Sequence, residues 1–230
     1  MTERNRTLIY LECKVPTNER AGRPVDPSKD LAIICAARRL LFSEGASAVS
    51  IEAVAKLAGV SKVTVYARYS NKDELLKAIT ETETAQLITG LNISPQKQSD
   101  VKEALITFGT HLLSFLISNE CLHFMRMLGN PGCFPTEAVD QLYATGPQST
   151  HTKLVQWMKD AHQAGLVQIP QPEKSAEMLL GMLFGIDIVR AMYGQPCIRH
   201  VDSIPEHVEW VVNQFLRIHS AEDESTFSES

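Results

Sequence analysis

Apolar residues along this chain recur at spacings of three and four, the period of helices that bury one face. Asp26-Pro27 has the form of a helix start, with Asp in the capping place and Pro at the first helical position. Leu31, Ile34, Cys35, Leu41 and Phe42 then share one predicted face until Gly45 ends the segment in a left-handed conformation. Ser50 is placed to cap a short helix with Ile51, Val54, Ala55 and Ala58 inward, and Gly59 breaks it. Ser61 can cap a third helix, expected from about Lys62 to Tyr69. Asn71 with Glu74 three residues later has the spacing of a capping box. It opens a fourth helix through Leu75, Leu76, Ile79 and Leu87, expected to end near Thr89.

Beyond Pro95 every strong pattern is again helical. Val101, Leu105, Phe108, Leu112 and Phe115 form one stripe, and Leu154, Trp157, Met158 and Ala161 another. Met178, Met182, Gly185, Ile186 and Val189 are expected along a single long helix, and Val208, Val211, Val212, Phe215 and Leu216 along the last. Asn130-Pro131-Gly132, Gly146-Pro147 and Pro170-Gln171-Pro172 are predicted turns. No alternating strand pattern of useful length interrupts them. The predicted fold is all-α: a flexible arm over 1–26, a three-helix N-terminal domain over 27–75, a larger helical domain over 76–219, and a disordered tail over 220–230.

Charge changes this picture more than composition does. The 230 residues carry a net charge of −5, which taken alone speaks against a nucleic-acid partner. Residues 1–80, however, hold 13 Lys and Arg against 9 Asp and Glu, whereas residues 81–230 hold 9 against 18. A basic head on an acidic body suits a protein whose first part meets phosphates. No apolar run is long enough to span a bilayer and no signal peptide is recognisable, so a cytoplasmic location is expected. The five cysteines, Cys13, Cys35, Cys121, Cys133 and Cys197, form no paired motif and are expected as reduced, mostly buried thiols. Seven scattered histidines show no ligand spacing, and no nucleophile triad, zinc-protease motif or phosphate loop is present. No cofactor, metal site or enzymatic activity is expected.

Ser50 to Leu76 carries the functional signal. Two short helices meet at a glycine-containing turn, the helix-turn-helix layout. Ala55 permits close approach, and Val60 and Val65 are expected inside. Lys62, Val63, Thr64 and Ala67 then face outward, where the first residues of a helix reach base edges in a major groove. Thr64 suits a base or a thymine methyl, and Lys62 a guanine or a phosphate. Tyr66 and Lys72 suit phosphates, contacts that set register rather than sequence. Arg20 and Arg23 on the arm are placed for an adjacent minor groove.

The string Ala58-Gly59-Val60-Ser61-Lys62, followed by Thr64, Val65, Tyr66, Tyr69, Lys72, Glu74 and Leu75, resembles the TetR/AcrR family of bacterial regulators over residues 27–80. The resemblance implies an all-helical homodimer joined near its C-terminus and released from DNA by a small molecule. Its DNA-contact positions fall on Ser50, Lys62, Val63, Thr64, Tyr66, Tyr69 and Lys72. Arg68, where many relatives carry His or Tyr, is either an added contact or surface. Arg126-Met127-Leu128, Phe134-Pro135, Tyr143, Gly146-Pro147 and Leu180 to Gly185 resemble the AefR-like C-terminal domain.

Effector-pocket candidates are Phe108, His111, Leu112, Phe115, Met125, Trp157, Met158, His162, Met182 and Phe184; each also suits ordinary core packing. Asp187 lies in an apolar stretch and is expected to pair with Arg190 or a neighbouring helix, or to sit at a dimer seam. The last two helices, about Glu173–Tyr193 and Pro205–His219, are the expected dimer interface, through Gly181, Gly185, Val208, Val212 and Phe215. The expected function is a ligand-responsive repressor on a palindromic operator of double-stranded DNA. The alternative is a dimeric regulator without an effector.

Overall fold

The structure, a computed structural model, describes residues 27–130 and 132–220. The arm with Arg20 and Arg23, the cap Asp26, Pro131 and the tail beyond Ser220 lie outside the described residues. The described chain forms helices α1 (Pro27–Glu44), α2 (Ile51–Ala58), α3 (Lys62–Tyr66), α4 (Lys72–Leu87), α5 (Gln98–Leu116), α6 (Asn119–Met127), α7 (Thr136–Tyr143), α8 (Ser149–Gln163), α9 (Pro172–Phe184), α10 (Asp187–Met192) and α11 (Ile204–Ile218), and no strand among the described residues.

These helices make two compact units. The first holds α1 to Glu83 of α4 together with Asn119–Thr145; the second holds Thr84–Ser118 and Gly146 onward. In the first, Ile33, Ala37 and Leu41 of α1 are buried with Val54 of α2, Val65 of α3 and Leu75, Leu76 and Ile79 of α4. Of the expected stripe on α1, Cys35, Leu41 and Phe42 are buried and Ile34 is half-buried. Leu31 is 43% exposed, because Ile33, Ala37 and Leu41, four residues apart, take the inward face. α6 joins this unit through stacked rings of Phe42 and Phe124, 4.7 Å apart, with Phe134 edge-on to Phe124 at 5.3 Å. Arg38 bridges Glu83 (2.7 Å) and Glu120 (2.9 Å) while lying over the Phe42 ring. No sequence spacing announces these contacts, since they join residues 45 and 82 apart.

The second unit has one large core. Val101, Leu105, Phe108 and Leu112 of α5, Leu154, Trp157 and Met158 of α8, Leu179 and Leu183 of α9, and Val208, Val211, Val212 and Phe215 of α11 meet in it. Burying a side chain of this size stabilises by roughly 1.5–3 kcal/mol. Val208, Val212 and Phe215 are therefore interior residues of one subunit and not an outward dimer stripe, a correction to the sequence reading.

Other expectations also change. The long helix expected over 173–193 breaks at Gly185, whose φ of 51° and ψ of −132° take it out of helical space. A side chain there would also collide with the Arg199 guanidinium, 2.8 Å from an added Cβ. Met182 and Val189 consequently lie on different helices. Gly146-Pro147 is not a turn but part of a wide π-helical segment, Ala144–Gln148, that runs into α8. Asp187 is fully buried, and its partner is Arg199 at 2.6 Å rather than Arg190. Ile198 N–H also donates to it at 2.9 Å. Burial alone would raise its pKa, but these hydrogen bonds and the guanidinium charge outweigh burial and hold it below the usual carboxylate range. Cys121, Cys133 and Cys197 are free, and burial pushes the Cys121 thiol up to about 12.

Candidate nucleic-acid interface

The helix-turn-helix is assembled by local rules legible in the chain. Ser50 accepts from Ala53 N–H at 3.1 Å through its hydroxyl oxygen and caps α2. Gly59 ends α2 in the left-handed region, φ 67° and ψ 28°, where a side chain is costly. Val60 N–H then donates back to the Ala55 carbonyl at 3.0 Å, closing the turn. Ser61 caps α3 by accepting from Thr64 N–H at 3.1 Å. At α4, Asn71 Oδ1 accepts from Glu74 N–H at 2.8 Å as the capping spacing predicts. The reciprocal bond is shifted by one residue: the Glu74 carboxylate accepts from Ser70 N–H, at 2.6 Å, rather than from Asn71.

α3 is shorter than expected and ends at Tyr66. Val65 is completely buried and pins it, whereas Val63 is 77% exposed and Tyr66, Lys62 and Ala67 also face outward. An apolar side chain held in solvent on a short, well-anchored helix has no role in its own core. Such a side chain can pack against a thymine methyl, beside the hydroxyl of Thr64. Thr64 Oγ1 lies 2.8 Å from Ser61 Oγ. Lys62 pairs with Glu52 at 2.8 Å, and both are well exposed, so the ammonium is free to exchange that partner for a phosphate or base. The Lys62 hydrogen bond is the main cause of a lowered Glu52 pKa.

Of the other expected contacts, Lys72 is half-buried in the first turn of α4 and Ser50 sits at the start of α2. Tyr69 is half-buried, and burial raises its hydroxyl pKa against the lowering effect of Arg68. Arg68 differs from the rest. Its Nε donates to Asp30 of α1 and its Nη1 to the Thr64 carbonyl at 3.2 Å, so its guanidinium is committed within the unit.

The expected effector residues are less gathered. Met125 belongs to the first unit and the others to the second. Phe108, Leu112, Trp157 and Met158 are buried in the shared core, with Met182 and Phe184 packed against it. His111 Nδ1 lies 3.3 Å from the Gln86 carbonyl, Ile169 N–H donates to His162 Nδ1 at 3.3 Å, and Trp157 Nε1 donates to the Ile93 carbonyl at 3.1 Å. A cleft of about 540 Å³ that the sequence did not announce lies instead in the first unit, bordered by Arg38, Arg39 and Phe42 of α1, Leu57 of α2 and His123 of α6. No group of three His, Cys, Asp or Glu residues suited to a metal occurs among the described residues, and no single helix there is long and apolar enough to cross a membrane.

Comparison with known proteins agrees with this architecture. Residues 33–79 match the model of the tetR family of bacterial regulatory proteins, and residues 103–221 that of the AefR-like transcriptional repressor C-terminal domain. The chain is 33% identical over 111 residues to the uncharacterised HTH-type transcriptional regulator YdeS of Bacillus subtilis strain 168, a match covering 48% of this chain and 53% of that one. It is 26% identical over 179 residues to YvkB, another uncharacterised HTH-type regulator of the same strain, covering 78% and 85%. Among solved structures it resembles the flavonoid-responsive regulator FrrA, at 26% identity and a TM-score of 0.61, over 86% of this chain and 100% of that one.

Proposed function

The chain belongs to the TetR family of DNA-binding transcriptional regulators, and from that premise we propose that it is a homodimeric repressor released from a palindromic operator by a small molecule. The observation that carries the reading is α3: anchored by one fully buried valine, it offers Lys62, Val63 and Thr64 to a groove. Lys62, Val63 and Thr64 read bases. Tyr66, Tyr69, Lys72 and the start of α2 at Ser50 hold phosphates, the last through backbone N–H groups. One such helix makes few base contacts, and a symmetric pair on two half-sites multiplies specificity.

The homodimer forms through α9 to α11, but with other residues than the sequence pattern selected. Ile186, Val189, Met192 and Tyr193 around α10, and Trp210 and Ile218 on α11, are exposed apolar side chains with no role in the subunit core. The effector is a small molecule, as the printed name of FrrA, a flavonoid-responsive regulator, says for that protein. Its binding favours a spacing of the two α3 helices unlike that of the operator and shifts the population off DNA. The protein acts as a regulator and not as an enzyme, in the cytoplasm.

Operator selection from random duplexes, followed by salt titration, tests the reading. Lys72→Ala should weaken every duplex alike and flatten the salt dependence by about one unit of slope. Thr64→Ala should instead change which duplex is preferred. Uniform loss in both variants would sink the division of roles, and a monomer indifferent to duplex DNA would sink the whole proposal. A second reading, regulation without an effector, is favoured by the complete burial of Phe108 and Met158 in the core. It prevails if no compound that releases the DNA also raises the melting temperature of the free protein.

A further inference from the structure

With only five residues, α3 is far below the length at which a helix holds itself in water. Ser61 closes its N-terminus and Val65 pins its inner side, but the carbonyls of its last turn still need donors. Arg68 N–H donates to the Val65 carbonyl at 3.0 Å, where a continuing helix would aim it at Thr64. The carbonyl of Thr64 instead accepts from Arg68 Nη1 at 3.2 Å. Through Nε the same guanidinium donates to Asp30 in the first turn of α1. The Arg68 side chain is only 17% exposed and Asp30 40%. The two charges also suit the helix ends they occupy: a cation at the C-terminus of α3 and a carboxylate at the N-terminus of α1. A planar guanidinium serves both acceptors at once, which a single ammonium cannot do in fixed geometry.

We propose that Asp30 and Arg68 are positioning residues for DNA recognition: their ion pair latches the end of α3 to α1 and sets the pose in which Lys62, Val63 and Thr64 meet the operator. The inference rests on α3 being the DNA-reading helix. It gives Arg68 a role other than the direct contact its location suggests. Substituting Arg68 by a neutral residue cannot separate the two roles, since either loses affinity. Asp30 can. Removing a carboxylate beside a phosphate-binding face strengthens DNA binding if only electrostatics act. Removing half of a latch weakens it.

The test uses the full chain and the duplex that the wild type selects from a random library. Failure of that selection would count against the DNA-reading role itself, before the latch is probed. Affinity is then measured by fluorescence anisotropy over a range of salt. Asp30→Asn should weaken binding about ten-fold, the loss of a charge-assisted hydrogen bond, with the salt slope unchanged. Arg68→Lys, which keeps the charge, should weaken it comparably, and the double variant should be no worse than the weaker single. Asp30→Glu should restore binding to within about two-fold. Amide exchange at Ala67 and Tyr69 should quicken in Asp30→Asn, with Leu75 and Leu76 unchanged. The latch is overturned if Asp30→Asn binds as well as or better than wild type, most clearly with a slope steeper by about 0.9, which would mark Arg68 freed onto a phosphate. Wild-type affinity in Arg68→Lys overturns it independently, and decides the matter should Asp30→Asn fail to fold.

Discussion

α3 and α11 show two ways in which this chain makes a helix. α11 is fifteen residues long and buries Ile204, Val208, Val211, Val212 and Phe215 in the core of the second unit. α3 is five residues long and buries Val65 alone. The first is stabilised by the area it removes from water, the second by caps and ion pairs at its edges. In the proposed function α3 presents its face to DNA and cannot also bury it, so its conformation has to be held from its ends. The recognition surface is consequently sensitive to polar substitutions of small energetic size, and the body to apolar ones of large size.

Phe215→Ala is expected to break the body most severely, by about 3–5 kcal/mol in denaturant unfolding. A loss below about 1 kcal/mol would mean that the shared core is not what holds α11. Asp187→Asn comes next. It leaves the Arg199 guanidinium without its carboxylate at the break between α9 and α10, a change that costs about 3 kcal/mol in buried pairs. Because the folded pKa of Asp187 lies below its ordinary value, this contribution is complete above the unfolded carboxylate pKa of about 3.9 and is lost as pH falls through the folded value. Wild type and variant should therefore differ in melting temperature at pH 7 and converge in strong acid. A constant gap at all pH values would exclude ionisation as the source. Smallest is Ser61→Ala, which removes the cap of α3 for about 1 kcal/mol. Its effect should appear chiefly as weaker operator binding, and an equal loss of affinity from Ser50→Ala and Ser61→Ala would blur the contrast drawn between α3 and its supports.

Much of the first unit was legible because its signals are local. Ser50, Gly59, Ser61 and Asn71 do what their types and spacings predict, within four residues of their partners. The inner face of α2 is the one expected, Ile51, Val54, Ala55 and Ala58. Stripes fail where a residue has more than one apolar neighbourhood to choose from. Leu31 and Ile33 both fit a helical period, and only packing selects Ile33. In the same way the apolar period of Val208, Val212 and Phe215 fits a core or a dimer seam equally. Gly185 fits a helix interior until Arg199 occupies the space beside it.

From the sequence came the all-helical class, the positions of the turns and caps around the helix-turn-helix, and the placement of Lys62, Val63 and Thr64 on an outward face. Each follows from backbone chemistry and periodicity within a few residues. Tertiary structure alone decided that Asp30 holds Arg68, that Arg199 holds Asp187, and that α6 packs on α1 through Phe124. These are meetings of residues separated by 38, 12 and 82 positions respectively. No periodicity encodes such pairs, because which charges and rings meet depends on how whole helices stack, and the energy of each contact exists only once they have.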